Sequence, residues 1–157
     1  MHRLIPPRLV LLLTMVAVVL GLTVPVAGSM PWPARLAGIA VTAAGASLAI
    51  SAARLFARER TNIVTFNDPD RLVTTGPFRW SRNPMYLGLA VSLLGVALIV
   101  GALSAFLAPL VFVAAAGFWY IPFEEARAHA VFGAEYDCYR ARVPRWLGFV
   151  RRARMAA

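Results

Sequence analysis

From Pro84 to Phe123 the chain runs forty residues without an aspartate, glutamate, lysine, arginine or histidine. About 20 apolar residues cross the roughly 30 Å of hydrocarbon in a bilayer, so this run is twice what one crossing uses. It predicts a tight helical hairpin turning near Gly101–Ser104, with Pro109 shifting or kinking the second arm. Two further apolar runs precede it, Leu9 to Ala27 and, between Arg35 and Arg54, Leu36 to Ala53. The expected fold class is therefore all-α: a single domain over 1–157, polytopic in the membrane. Four transmembrane helices are expected, over about 9–27, 36–53, 85–101 and 104–121, followed by a cytoplasmic C-terminal helical segment.

Composition agrees. Only 15% of the 157 residues are charged, against about 25% in soluble domains, so lipid is the solvent for much of the surface. A secretory signal would also begin with Arg3 and Arg8 ahead of an apolar run. This run is long for that role, and no small-x-small cleavage site precedes Met30, so it reads as a retained span.

All sixteen basic residues are arginine. Two precede the first apolar run and one, Arg35, separates the first from the second. Six lie from Arg54 to Arg82, and seven from Arg127 to Arg154. By the positive-inside rule both termini and the 54–84 segment are cytoplasmic, as in the inner membrane of a bacterium. The net charge of +9 then favours anionic lipid head groups. Nucleic acid is disfavoured because the arginines flank spans and form no single soluble face. The lone Cys138 excludes an internal disulfide, and two histidines with one cysteine are too few for a zinc site, so no metal is expected. No obligate protein partner and no oligomeric state can be inferred.

Polar chemistry concentrates in two cytoplasmic segments, 61–86 and 122–150. The first is loop-like, with Asn-Asp-Pro-Asp and Thr-Thr-Gly-Pro as turn signals. The second predicts a helix to about Phe132, a break at Gly133, a short helix over Ala134–Arg142, and a stop at Pro144. Tyr136, Tyr139 and Val143 share one face of that short helix. Small residues at four-residue spacing, Gly38/Thr42/Ala46 and Gly88/Ser92, predict helix-packing faces. Trp80, Arg79 and Arg82 suit an interfacial anchor. Glu124 and Glu125 require more than that: adjacent carboxylates at the end of an uncharged run are expensive unless an arginine or a ligand cation partners them. His129 lies one helical turn after Glu125 and is a candidate proton acceptor. Nucleotide loops and covalent nucleophile constellations are missing, so an enzyme here needs neither covalent catalysis nor a metal.

At this point LVTTGPFRWSRNPMYLG (Leu72–Gly88) and FEEARAHAVFGAEYDCYRARVPRWL (Phe123–Leu147) resemble the integral-membrane methyltransferases of the isoprenylcysteine carboxyl methyltransferase and phospholipid methyltransferase type. Membrane sterol reductases share a similar C-terminal half. The resemblance covers about half the chain. It implies transfer of a methyl group from S-adenosylmethionine to a lipophilic, lipidated or membrane-embedded acceptor, in contact with membrane lipids. It carries over as cofactor contacts Asp70, Arg71, Leu72, Val73, Phe78, Asn83, Pro84, Met85, Tyr86 and Glu124. Chemically, Glu124 suits the ligand's ammonium or ribose hydroxyls, and Arg82 or Arg71 its carboxylate. The rings of Phe78 and Tyr86 offer faces to adenine or the sulfonium. Candidate catalytic residues on the acceptor side are Glu125, His129 and Tyr120. Asn83 stands where many relatives have His, and Tyr120 where carboxyl methyltransferases place a substrate-facing Arg. The competing readings are an NADPH-dependent membrane reductase and a non-enzymatic membrane adaptor.

Overall fold

The computed structural model describes residues 6–24, 30–59 and 71–148, so Asp70 lies outside the described residues. The described chain is helical. Helix α1 spans Pro6–Thr23 and α2 Trp32–Arg58, each opening on prolines, which suit a first turn that leaves its N–H groups unbonded. Helix α3 spans Pro84–Val100 and stops where Gly101 turns left-handed at φ 76°. Helix α4 is the continuous stretch Leu103–Phe132. It opens as a 3-10 turn over Leu103–Phe106, is α-helical over Leu107–Ala115, widens into a π-turn over Ala116–Tyr120, and resumes over Ile121–Phe132. Helix α5 is Ala134–Arg142.

The expectation of four transmembrane helices is not met. Among the described residues three helices are long and apolar enough to cross a membrane, α1, α2 and α4, while α3 falls short. The run divides where expected, at Gly101, but its first arm is too short to count as a crossing. Gly101 ends α3 after 17 residues, about 25 Å at 1.5 Å per residue. The remainder joins the charged sequence after Phe123 in one helix of 30 residues. Pro109 introduces no break, because it falls where the 3-10 opening passes into the α-helix.

Helices α2 and α3 pack closely through small side chains. A Cβ on Gly45 would fall 2.5 Å from the Gly88 carbonyl oxygen and from the Ser92 nitrogen, and one on Gly88 2.6 Å from the Ala49 nitrogen. Gly38 and Thr42 meet Gly95 in the same way. The face therefore steps 38, 42, 45, 49, alternating fours and threes, and Gly45 takes the place expected of Ala46. Steps of three and four, bracketing the 3.6 residues of a helical turn, keep one face of α2 on its neighbour. The main core, which includes Leu13, Ala17, Leu93, Ala97, Ala108, Phe112 and Ile121, joins α1, α3 and α4. The opposite surface is apolar too, with Leu11, Met15, Leu22, Leu110 and Phe118 exposed, as lipid-facing helices require.

The two ends of the bundle differ. At one end Met30 N–H donates to Gly101 O (3.0 Å), Ser104 Oγ to Leu20 O (3.2 Å), and Arg35 Nη2 to Val100 O (2.6 Å). Arg35 thus spends its charge on the carbonyl end of α3, where the helix dipole favours a cation. The other end collects Arg58, Arg79, Arg82, Arg140, Arg142 and Arg145 with the start of α3 and the last turns of α4.

Candidate active site

Segment Arg71–Asn83 approaches α3 through a 3-10 turn over Gly76–Arg79, then enters the helix at Pro84. The second segment arrives by α4. Pro122 offers no N–H to the carbonyl of Phe118, which an α-helix would require. Just upstream the ladder lengthens, and Ile121 N–H donates to Ala116 O five residues back. The π-turn leaves Phe118 and Trp119 facing outward, 87% and 73% exposed, and turns Tyr120 into the core. Single π-turns of this kind concentrate at functional sites.

The two segments meet through two adjacent carboxylates. Tyr86 OH donates to Glu124 Oε1 at 2.7 Å. The Tyr86 ring stacks on Tyr120, centroids 6.2 Å apart and planes 19° apart, and lies 6.4 Å from the ring of Phe112. Glu125, whose side chain is 12% exposed, is held by two arginines. Arg82 donates to its Oε1 from Nη2 (2.7 Å) and Nε (3.1 Å), and Arg145 to its Oε2 from Nη2 (2.5 Å).

Arg82 does more than pair. Its Nη1 donates to the carbonyls of Val143 (2.8 Å) and Arg140 (3.1 Å), and its backbone N–H to Pro144 O (2.9 Å). Asn83 Nδ2 donates to Arg145 O at 3.0 Å. The run Arg82–Asn83 therefore ties residues 140–145 to the foot of α3. Tyr139 OH donates to Phe78 O (2.8 Å), and Tyr136, Tyr139 and Val143 bury one face of α5 against Leu72, Ala128 and Phe132.

The carried-over residues divide accordingly. Tyr86, Glu124 and Tyr120 converge in one place. Val73, Phe78 and Met85 pack with Ala52, Leu55 and Phe56, and the Phe78 ring faces Phe56 at 5.0 Å instead of an open site. Leu72 belongs to the α5 cluster, and Pro84 is fully buried. Arg71 pairs with Glu59 at 3.0 Å on the surface. His129 turns its Nδ1 to Asp137 Oδ1 (3.3 Å), on the side of α5, and meets neither Tyr86 nor Glu124 in a hydrogen bond. Sequence reasoning missed Arg145, Ser81 and Trp146. The signal for Arg145 was its place directly after the Val-Pro that closes the second motif.

The family profile described as phospholipid methyltransferase matches residues 33–135. The chain belongs to the phospholipid methyltransferase family. No curated protein and no solved structure matches it. As a family member the chain is a multi-pass membrane enzyme that transfers a methyl group from S-adenosylmethionine to a membrane-embedded acceptor. This settles the reading against the reductase and the adaptor. The residues present fit that donor. Glu124 is a part-buried carboxylate held by Tyr86, whose ring stacks on Tyr120, and a carboxylate with aromatic faces close by suits a ligand bearing an ammonium and a sulfonium.

Alkali tests the attachment of α5. Burial pushes Tyr136 from 10.0 up to about 12, helped by the charge of Glu125, and burial likewise raises Tyr139. The folded chain keeps these protons longer than an unfolded one, so their contribution is complete below pH 10 and fades as the pH climbs towards about 12. Tyrosinate absorbance and protease cleavage after Gly133 should therefore rise together above pH 10. Cleavage reaching completion at neutral pH would contradict the docked arrangement.

Proposed function

We propose that S-adenosylmethionine is held at the arginine-rich end of the bundle, between the first turn of α3 and the π-turn and following helix of α4. Glu124 accepts from its ammonium or ribose hydroxyls, and the rings of Tyr86 and Tyr120 face its cationic part. The observation that carries this reading is the 2.7 Å hydrogen bond from Tyr86 to Glu124. It joins the two motif segments through a carboxylate that neither Arg82 nor Arg145 occupies.

When bound, the cofactor supplies an electrophilic methyl group. Displacement at that carbon asks the protein for alignment and for exclusion of water, not for a nucleophile. Tyr86 holds the Glu124 carboxylate in place. Tyr120 and Phe112 keep the adjoining wall apolar, and Asn83 with Pro84 fixes where α3 begins. A lipophilic acceptor arrives from the bilayer past the outward-facing Phe118 and Trp119. This end faces the cytoplasm by its excess of arginine.

Binding of S-adenosylhomocysteine to the detergent-purified protein tests the site. Glu124→Gln removes a charge-assisted contact worth about 1.5–3 kcal/mol and should weaken binding about 10- to 100-fold. Tyr86→Phe leaves the carboxylate and removes one neutral donor worth about 1 kcal/mol, for a loss of about fivefold. Unchanged affinity in both variants rejects this site.

A further inference from the structure

Glu124 and Glu125 stand about 100° apart around α4, the step between successive residues of an α-helix. Glu124 meets Tyr86, while Glu125 lies between Arg82 and Arg145. Which glutamate faces which partner depends on the rotational phase of the helix at that level, and the π-turn over Ala116–Tyr120 lies directly upstream. A π-turn inserts one residue into the helical count. Drawn as plain α-helix, the same stretch would carry every later residue forward by about 100°, into the place of its successor. Phe123 would then occupy the place beside Tyr86, and Glu124 would fall between the arginines. Two neighbouring glutamates make that slip electrostatically inexpensive, because either one satisfies the arginines.

We propose that Arg145, together with Arg82, is a positioning residue that fixes the rotational phase of α4 by gripping Glu125, so that Glu124 is the carboxylate presented beside Tyr86. The proposal rests on the site described above for the role of Glu124, but its geometric content is independent of that role. Arg145 is placed for the task from both sides. Its guanidinium takes Glu125 Oε2 from Nη2 and Oε1 from Nε (3.3 Å). Its carbonyl accepts from Asn83 Nδ2 (3.0 Å) and Ser81 Oγ (3.4 Å), which anchors it to the foot of α3. Arg82 reaches only Oε1 among the Glu125 oxygens and also carries the carbonyls of Arg140 and Val143. The second oxygen is thus engaged by Arg145. Next to it, Trp146 packs on the main core and faces Gly117 within the π-turn, so the same segment touches both the grip and the turn it stabilises.

The test measures phase and cofactor affinity separately, on the full chain. In a Cys138→Ser background, Tyr86→Cys is paired with either Glu124→Cys or Phe123→Cys, and a short bifunctional thiol reagent reports which neighbour is nearer. The Glu124 pair should dominate with Arg145 intact, and Arg145→Gln should shift the yield towards the Phe123 pair. An unchanged ratio overturns the proposal. In parallel, Glu125→Gln and Arg145→Gln should each weaken S-adenosylhomocysteine binding about tenfold, their double variant should be no worse than either, and Arg145→Lys should recover part of the loss. Losses that multiply in the double variant, or single variants that bind like wild type, also overturn it. If instead Glu124→Gln itself binds like wild type, the site reading has failed, and the cross-linking ratio still decides the phase.

Discussion

A Gly45→Val chain will not accumulate as folded protein. The new Cβ would sit 2.5 Å from the Gly88 carbonyl oxygen and the Ser92 nitrogen, both on the opposing helix α3. These are backbone atoms, with no flexible side-chain end to swing away. Overpacking in an ordinary core costs about 1–3 kcal/mol because neighbours can adjust. Here α2 and α3 must separate along the face that also carries Gly38, Thr42 and Gly95, so the cost should exceed that range. Gly117→Ala is the matched control, since its Cβ would meet Trp146 at an ordinary 3.9 Å. Monodisperse recovery from detergent, near zero for Gly45→Val and at wild-type level for Gly117→Ala, checks the claim. Normal recovery of Gly45→Val would show that this face is looser than described.

Arg82→Ala should abolish cofactor binding and release residues 134–148 from the bundle. The guanidinium is 10% exposed and serves Glu125 and two backbone carbonyls at once. Removing one partner of a buried ion pair costs about 3–5 kcal/mol, because the remaining charge stays desolvated. Arg82→Lys should recover little, since an ammonium cannot supply the planar fork that reaches three acceptors. Limited proteolysis, with new cleavage near Gly133, gives the structural readout. Gly133 marks the weak point because its φ of 52° allows the turn into α5, and nothing lies within 4 Å of where a side chain would be. Full protection of that segment in Arg82→Ala would refute the tie.

Much of this arrangement was legible in the sequence. The helical character, the break at Gly133 and the shared face of Tyr136, Tyr139 and Val143 follow from local residue chemistry. The association of the two polar segments was legible only through their motifs. Three things were not. The uncharged run gave the turn near Gly101 but not that the 17 residues before it stop short of a crossing, so α3 was counted as a span. A single sequence gives no sign that Arg82 meets a carboxylate 43 positions away, and Arg82 therefore looked available to a cofactor. Nor does helical periodicity report a π-turn, so the separate orientations of Glu124 and Glu125 could not be assigned. Pro122 in mid-helix was the available hint, since a proline there must disturb the ladder somewhere close by.

The shortness of α3 has a bearing on the surrounding lipid. An apolar rod of about 25 Å, closed by Arg35 at its far tip, is several ångströms shorter than a typical hydrocarbon layer. Acyl chains beside that tip must compress or splay, and water can follow the guanidinium below the head groups. Activity in vesicles of graded acyl-chain length should therefore be highest in the thinner ones. Longer-chain lipids would press against the Arg35 corner first, on the face remote from the chemistry.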